Sequence, residues 1–381
     1  MLTYRMRIRY LRYTLLTAIL AAVIYLASGH GARSFEAYCP FGGAESLWGL
    51  FTNNEFSCTL APLNLSLMLA LLALAVLAKK AFCGWSCPIG FLGELLGHAG
   101  GLIWRGRPAV PPLLNGRLKA LRYVVLALAL FFTYKTGELV LRGYDPYFLV
   151  FSGFGHGSSG LLSVIVLTLT ALGALAVPMM FCRYLCPMGA VFDPFSRLGF
   201  IRLRRDKEKC TACGKCAAAC PCDIPVDRLE TVSHYDCTNC LECVDACPEK
   251  DVFQLRCAGL AQPLPKYIVA ALAVLALTGG YFLRTAFTQP TATASFSGKA
   301  AAKTVFIVDG LKCKGTAGFF TSMYKDIPGI GGIETYASEH KAVFTYDPDI
   351  ITRDRIRAVM ETPVEFKDGT SEQVFKSRSM K

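Results

Sequence analysis

The stretch Phe82–Gly90 reads FCGWSCPIG, and it returns at Phe181–Gly189 as FCRYLCPMG, an offset of 99 residues. Each copy follows an apolar run long enough to cross a bilayer, and each contains a C-x3-C-P motif. The loops before the two runs also match, since Cys39-Pro40 stands opposite Asp145-Pro146. Repetition at this distance predicts two parallel two-helix repeats, related by an axis along the membrane normal.

The repeated motif predicts a site of four thiols. Equivalent positions of parallel repeats meet near their axis, so the repeat cysteines are expected together at the inner face of the membrane: Cys83, Cys87, Cys182 and Cys186. Residues four apart share a helix face, so both sulfurs of a pair should point the same way. Four soft thiolates favour a relay or metal site, namely a further iron–sulfur cluster, copper or a dithiol relay. The alternative is packing cysteines in a small-residue helix interface.

The composition indicates a membrane protein. Of 381 residues 53% are hydrophobic, and the mean hydropathy of +0.40 is too high for an ordinary soluble enzyme. Apolar windows predict five transmembrane helices, at about residues 11–28, 60–78, 119–137, 160–181 and 267–286. The basic N-terminal segment is interpreted as part of a retained anchor, because no small-residue cleavage site follows it. A cleaved signal peptide is the alternative.

The distribution of lysine and arginine orients the spans. The N-terminus and the loop 79–119 are rich in both, whereas the loops 29–59 and 138–158 carry one arginine each. Basic loops stay in the cytoplasm, so the N-terminus and residues 182–266 are predicted to be cytoplasmic, and the C-terminal part periplasmic. The net charge of +12 therefore reflects a multi-pass protein of the bacterial inner membrane and gives no argument for nucleic acid.

Two runs in the predicted cytoplasmic segment have the bacterial ferredoxin spacing C-x2-C-x2-C-x3-C-P: CTACGKCAAACP from residue 210 and CTNCLECVDACP from residue 237. In this spacing the fourth cysteine of each run binds the cluster of the other. One [4Fe–4S] cluster is therefore predicted on Cys210, Cys213, Cys216 and Cys247, and a second on Cys237, Cys240, Cys243 and Cys220. Zinc knuckles, the alternative, leave the repeated fourth cysteine without a purpose. Cys222 and Cys257 are interpreted as spare buried thiols.

A second group of candidate residues is expected at the outer face: Cys39, Cys58, His30, His156 and Asp145. Cys39 and Cys58 are interpreted either as a disulfide or as part of a metal or electron-exit site. No predicted span contains a histidine, which argues against a b-type haem. A bound quinone or flavin is then the remaining candidate for carrying electrons across the membrane.

The C-terminal residues predict a small α+β unit after a polar linker. Alternating apolar residues predict strands in TVFIVDGL, GGIETYAS and KAVFTYDP, helices in CKGTAGFFTSMYKDIPG and ITRDRIRAVMET, and a last strand near residues 364–376. This order, β-α-β-β-α-β, is that of the ferredoxin-like fold.

At FCGWSCP, FCRYLCP and the two ferredoxin runs, the sequence resembles the membrane polyferredoxins, which include NapH-type quinol dehydrogenase subunits, NosR-type proteins and CcoG-type copper reductases. The resemblance covers roughly residues 10–286. It implies electron transfer between quinol or a cytoplasmic donor and a periplasmic oxidoreductase or metal, with the four repeat cysteines functional. An insert before a fifth span and an outer C-terminal unit are similar to the CcoG type, whereas NapH-type proteins typically end after the ferredoxin.

The C-terminal phrases GLKC, PGIGGIETY and AVFTYDP resemble heavy-metal-associated domains, which bind soft cations with two cysteines in a C-x2-C loop. Here Cys313 is present, but Thr316 takes the second position. A partner thiol from Cys39 or Cys58 would be needed to complete the two-sulfur site that Cu(I) prefers. The alternative is a degenerate domain kept for docking or packing.

The predicted architecture is a mainly α membrane protein with five domains or segments: a four-helix membrane domain (1–200), a cytoplasmic two-[4Fe–4S] ferredoxin domain (201–260), a fifth transmembrane helix (261–287), a linker (288–303) and a periplasmic heavy-metal-associated-like domain (304–381). The predicted function is an iron–sulfur oxidoreductase that transfers electrons between cytoplasmic clusters or quinol and a periplasmic soft-metal or thiol acceptor near Cys39, Cys58 and Cys313. The alternatives are a quinol dehydrogenase subunit that donates to a separate periplasmic reductase, and a copper carrier or assembly factor.

Overall fold

Long apolar runs form the longest helices that precede the C-terminal unit, because in lipid a helix satisfies its backbone hydrogen bonds within one segment. The structure is a computed structural model that describes residues 7–29, 38, 41–44, 46–47, 61–104, 110–136, 143–152, 161–249, 251–260, 262–287, 290–296, 301–311, 314–365 and 371–380. The chain divides into two units. The first comprises Met1–Phe41 and Leu67–Tyr281, and the second Gly42–Ser66 and Phe282–Lys381.

Nine helices are described before the ferredoxin runs. In chain order they are α1 (Arg7–Gly29), α2 (Ala61–Ala78), α3 (Ala81–Trp85), α4 (Pro88–Ile103), α5 (Pro112–Thr136), α6 (Pro146–Ser152), α7 (Leu161–Ala176), α8 (Met180–Tyr184) and α9 (Pro187–Leu198). Helices α3 and α4 are related to α8 and α9 by the 99-residue offset of the sequence repeat. The repeat in the sequence is therefore also a repeat of elements.

Three helices among the described residues have the length and composition to cross a membrane: Ile8–Ser28, Ala61–Ala78 and Ile268–Phe287. Helix α7 is apolar but has only 16 residues, about 24 Å of helix against about 30 Å of hydrocarbon. Helix α5 has 25 residues, but three basic side chains lie in its first half: Arg117, Lys119 and Arg122. Five membrane crossings therefore stay a prediction.

The ferredoxin insert is small and shares the core of the helices. It contains β1 (Ile201–Arg205), α10 (Lys215–Ala218), β2 (Thr231–Val232), α11 (Glu242–Asp245) and β3 (Phe253–Cys257), followed by α12 (Ile268–Leu283). The three strands form an antiparallel sheet in the order β2-β1-β3. Leu203 and Leu255 of this sheet belong to one buried cluster with Leu71, Phe82 and Trp85 of the helices. The insert is thus packed as part of the first unit.

The second unit is built on a five-stranded antiparallel sheet in the order β10-β5-β7-β6-β4. Its elements after a short 3₁₀ turn are β4 (Ala292–Ser295), β5 (Ala302–Asp309), α13 (Lys314–Ser322), β6 (Ile330–Tyr336), β7 (Lys341–Tyr346), α14 (Arg353–Met360), β8 (Val364–Glu365), β9 (Ser371–Glu372) and β10 (Lys376–Met380). Buried aromatic side chains fill its core, among them Phe306, Phe320 and Phe344.

Two boundaries in the second unit differ from the sequence prediction. The predicted linker contains β4, which pairs with β6 and adds an edge strand to the sheet. The strand that pairs with β5 is β10, whereas the residues just before it form the separate β8–β9 hairpin. Neither segment has a clear apolar alternation, so pairing with the sheet, rather than local pattern, places these strands.

Candidate functional site

The two C-x3-C-P motifs form the same backbone turn. In each copy the residue before the second cysteine and that cysteine itself donate N–H groups to one phenylalanine carbonyl, that of Phe82 or Phe181, at 2.8–2.9 Å. The second cysteine, Cys87 or Cys186, has extended backbone angles and precedes the proline that opens α4 or α9. The prolines stand at the first helical position, where a missing N–H needs no partner. The two cysteines of a pair do not share one continuous helix, because a residue before proline disfavours helical angles.

One cavity of about 270 Å³ collects the four repeat thiols. We call it the thiol cavity, and its cysteine lining is Cys83, Cys87, Cys182, Cys186 and, in addition, Cys222. Two thioethers, those of Met179 and Met188, line it as well. The repeats therefore meet at their motifs, and the cavity carries a sulfur-rich wall beside an otherwise mainly apolar lining.

The loop that precedes each repeat also reaches the thiol cavity. Tyr38 lines it and donates its hydroxyl to the carbonyl of Ser86 at 2.9 Å. Asp145 lines it too, and its carboxylate accepts the N–H of Tyr147 at 3.3 Å. Asp145 therefore lies at one cavity with the repeat cysteines, and its position at the outer face stays a prediction. Aromatic residues of α6 pack against α1 and α4 and hold this loop at the thiols.

Five residues of the predicted outer site cannot be placed in the same way. Cys39, Cys58, Cys313, His30 and His156 lie outside the residues that the structure describes. The disulfide and metal interpretations of these cysteines stay predictions.

The eight ferredoxin cysteines line two small cavities, four in each. Cys210, Cys213, Cys216 and Cys247 line the first, which we call the far cavity. Cys220, Cys237, Cys240 and Cys243 line the second, the near cavity. The fourth cysteine of each run thus faces the other run. Four free thiols around one small cavity are the donor set that a [4Fe–4S] cluster requires, so the residues present fit such a cluster.

The backbone around these cavities is curled in the same way in both runs. Ala212 and Asn239, one residue before the second cysteine, have φ of 53° and 46°. Gly214 and Leu241, one residue after it, have φ of 71° and 62°. Turns through the left-handed region direct backbone N–H groups into a concave site, which favours negatively charged groups such as an iron–sulfur centre.

The described part of the chain offers no site with three or more protein ligands for a single metal ion. No group of three or more His, Cys, Asp or Glu side chains there is close enough to bind one ion. In a cubane site each thiolate binds a different iron, so the four sulfurs need not have the short mutual distances of ligands on one ion.

Cys222 connects the two kinds of site. Its side chain is 5% exposed, and together with Thr238 it lines both the near cavity and the thiol cavity. The burial of Cys222 agrees with its interpretation as a buried thiol. Its position between the near cavity and the thiol cavity was not predicted. The available signal was the phrase CPC, which places Cys222 two residues after a cluster ligand. Cys257 is half-buried at the end of β3 and is absent from the linings of the three cavities.

The loop of the near cavity packs directly on the first thiol turn. The indole of Trp85 donates to the carbonyl of Asn239 at 2.8 Å, and the amide of Asn239 donates to Ala78 at 2.9 Å. At Gly84 an added Cβ would lie 2.9 Å from the carbonyl oxygen of Thr238. Only glycine allows the two backbones to approach this closely.

A buried ion network closes the same junction. Asp236, next to the first ligand of the second run, contacts Lys80 at 3.1 Å, Lys119 at 2.9 Å and Arg122 at 2.7 Å. Asp193 of α9 contacts Lys80 at 2.6 Å and Arg122 at 2.9 Å. Burial raises the pKa of Asp236, but these cations outweigh burial and hold its pKa well below its usual range. Asp236 is therefore a carboxylate that joins the insert to the helices.

Comparisons with known families follow the same two features. The family described as "4Fe-4S binding domain" matches residues 60–108 and 159–208, the two repeats. The family described as "4Fe-4S dicluster domain" matches residues 202–248, the two ferredoxin runs. No solved structure matches the chain.

Individual proteins also resemble this chain over part of their length. An uncharacterized protein of Methanocaldococcus jannaschii, MJ0750, is 31% identical over 176 residues, which are 45% of this chain and 72% of that protein. The chain belongs to the membrane-type ferredoxin proteins. Within the family, YccM of Escherichia coli strain K12, named for electron transport, is 34% identical over 222 residues, 56% of this chain and 61% of YccM. The ferredoxin-type protein NapH of the same organism is 29% identical over 152 residues, 39% of this chain and 49% of NapH.

The matches to relatives cover only part of each protein. The chain spans about three-fifths of the length of the first curated relatives it matches, at 61% and 63%. The family matches show 4Fe-4S binding domains in this membrane-type ferredoxin protein, and electron transport is what the name of its relative YccM states. The family matches end at residue 248, so the resemblance of the C-terminal unit to heavy-metal-associated domains stays a prediction.

Proposed function

We propose that this protein transfers electrons between a cytoplasmic donor or quinol and a periplasmic soft-metal or thiol acceptor, and that the thiol cavity is where electrons leave or enter the insert. The observation that carries the proposal is the shared lining of the near and thiol cavities by Cys222 and Thr238. A site for an iron–sulfur cluster and a site of four thiols are thus direct neighbours.

In this proposal the cysteines of the far and near cavities hold one [4Fe–4S] cluster each. Bound there, the clusters supply one-electron redox chemistry. The buried loop on the first thiol turn fixes the near cavity in place, and the cations around Asp236 hold that loop to the helices. The insert and the N-terminus are cytoplasmic and the C-terminal unit periplasmic, with five membrane crossings, as the basic loops favour.

The thiol cavity has the ligands of a relay or of a soft-metal site. Thiolates and thioethers are the donors that select Cu(I) and iron–sulfur clusters, and the four repeat cysteines, Cys222 and two methionines all line this space. A copper-reductase-like activity, with electrons delivered to a soft metal, fits this donor set. A further iron–sulfur cluster fits it equally, and iron content separates the two.

A second candidate, a quinol dehydrogenase subunit, is favoured by the apolar part of the same cavity. Side chains such as Phe82, Phe181 and Tyr147 line it, and pockets for flat apolar cofactors have this character. The two candidate functions differ in the acceptor that receives the electrons. The first reduces Cu(II) without a partner, whereas the second oxidises quinol only with a periplasmic reductase present.

The proposal is tested on protein purified anaerobically in lipid nanodiscs. We expect about eight irons per chain from two cubanes, or more if the repeat thiols hold a further cluster. Cys237→Ser should remove the near cluster and stop the reduction of both Cu(II) and a periplasmic reductase. Cys182→Ser should keep the two ferredoxin clusters and stop electron transfer to these acceptors. Cys257→Ser is the matched control. Reduction at the wild-type rate by Cys237→Ser would contradict the proposal, and a copper carrier would still deliver copper in that variant.

A further inference from the structure

Arg12 is a fully buried cation in a helix that has the composition of a membrane span. It lies in α1 with 1% of its side chain exposed. A charged side chain at such a position is costly unless every donor finds a partner. The partners of Arg12 therefore indicate why the residue is there.

The guanidinium of Arg12 holds three groups at once. Its Nε donates to the carbonyl of Gly84 at 2.7 Å. Its two terminal nitrogens hold both carboxylate oxygens of Glu94, one of them at 3.1 Å, and one also donates to Glu242 at 2.7 Å. A planar fork with five N–H groups makes this set of contacts, and an ammonium group does not.

The three partners belong to different parts of the site. Gly84 follows the first thiol, Cys83, in the turn of α3. Glu242 stands between Cys240 and Cys243, two thiols of the near cavity. Glu94 lies on α4, which begins directly after the second thiol of the same pair. One side chain thus ties the near-cavity loop to the thiol turn.

Arg9 offers a natural comparison. It lies one turn earlier on α1, and its Nε donates to the other oxygen of Glu242 at 2.9 Å. Its side chain is 47% exposed, and none of its hydrogen bonds among the described residues reaches the thiol turn. Arg9 and Arg12 therefore share an acceptor but differ in whether they bridge the two sites.

We propose that Arg12 is a positioning residue that holds the near-cavity loop, residues 237–243, in a fixed position against the first thiol turn. The planar shape of its guanidinium allows it to bind both parts at once. The inference rests on the proposed function, because it assigns this contact a role in transfer between the near cavity and the thiol cavity. If Arg12 contributed to stability alone, it would act only as the counter-ion of the buried carboxylates of Glu94 and Glu242.

The two roles separate in the variant Arg12→Lys, which keeps the charge and loses the fork. We expect the near-cavity loop to exchange its amide hydrogens about tenfold faster, and transfer to the repeat thiols to slow about tenfold, as when an outer-shell partner of a metal site is lost. Iron content and the midpoint potential of the near cluster should be unchanged. Arg9→Lys, the matched control, also keeps the charge, at an exposed side chain whose hydrogen bonds among the described residues do not reach the thiol turn, and should change none of these quantities.

The variant Arg12→Gln adds an electrostatic effect. Glu94 and Glu242 then lose their shared cation, and extra negative charge disfavours the reduced cluster, so the midpoint potential of the near cluster should fall while that of the far cluster stays. If Arg12→Gln does not accumulate, Glu242→Gln also breaks the contact between Arg12 and the near-cavity loop. Because it removes a negative charge instead of a positive one, the midpoint potential of the near cluster should then rise while that of the far cluster stays. All variants are full-length and held in nanodiscs.

The inference is overturned if Arg12→Lys matches the wild type in loop exchange and transfer rate, or if Arg9→Lys produces the same changes as Arg12→Lys. A wild-type protein with both clusters loaded that passes no electrons to the repeat thiols would instead contradict the proposed function. Slower transfer in Arg12→Lys with faster exchange confined to the loop supports the inference.

Discussion

At the scale of single residues, Cys222 is the clearest addition to the site. Its thiol lies between the near and thiol cavities but is not among the eight cluster cysteines. We expect Cys222→Ala to keep about eight irons and to slow transfer between the two sites about tenfold. Iron analysis and single-turnover kinetics measure these quantities. Cys257→Ala should leave both unchanged, and loss of a cluster in Cys222→Ala would show that this thiol is a ligand.

Asp236 gives a prediction about stability. Its carboxylate is 4% exposed and contacts three cations, so Asp236→Asn leaves buried charge without a partner. Breaking such a network costs about 3–5 kcal/mol. Glu230→Gln is the control, because Glu230 is 45% exposed in its pairs with Arg204 and Lys207, and exposed pairs contribute about 0–1 kcal/mol. Thermal unfolding in nanodiscs compares the two, and equal losses would contradict the assignment.

At the scale of elements, the contact between the thiol turn and the cluster loop depends on one glycine. In Gly84→Ala the new Cβ would meet the carbonyl of Thr238 at 2.9 Å, so the loop must move away. We expect faster amide exchange in residues 237–243 and a lower melting temperature. Gly279→Ala on α12 is the control, because nothing lies within 4 Å of its added Cβ. No difference between the two variants would mean that the contact is loose.

Local signals predicted some elements and missed others. Pro88 and Pro187 correctly mark helix starts, because proline fixes its own backbone angle and needs no partner for a missing N–H. The ferredoxin spacing indicated which thiols line each small cavity, because in this pattern the fourth cysteine of one run binds the cluster of the other. The contact of Asp145 with the thiol cavity was missed because aromatic packing on other helices holds its segment there. Strand β4 was missed because its pairing with β6 comes from the sheet.

At the scale of the whole molecule, the C-terminal unit has a core of its own. The buried residues of that core begin at Phe306 and end at Phe375. We therefore expect a chain that ends after Phe287 to keep both ferredoxin clusters and the thiol cavity. Iron content and the electron paramagnetic resonance spectrum test this. Loss of either cluster on truncation would contradict it, whereas loss of Cu(II) reduction alone would place the outlet in the C-terminal unit.

The sequence could not reveal that the insert and the membrane helices share one core. The insert of residues 201–260 was predicted as a domain of its own, and a domain of this size buries only about 60% of the surface that its unfolded chain exposes. Leu203, Val232 and Leu255 complete their burial against the same cluster as Phe82 and Trp85. Such contacts join residues more than a hundred positions apart, and no periodicity records them.

The position of Asp145 at the thiol cavity bears on how an electron would cross the membrane. In the predicted orientation, the segment that carries Asp145 enters from the outer side and the repeat motifs lie at the inner side. The predicted path from the sulfur wall to the exterior is then shorter than the full hydrocarbon thickness of about 30 Å. A quinone or flavin proposed as carrier would have to bridge only the remaining distance.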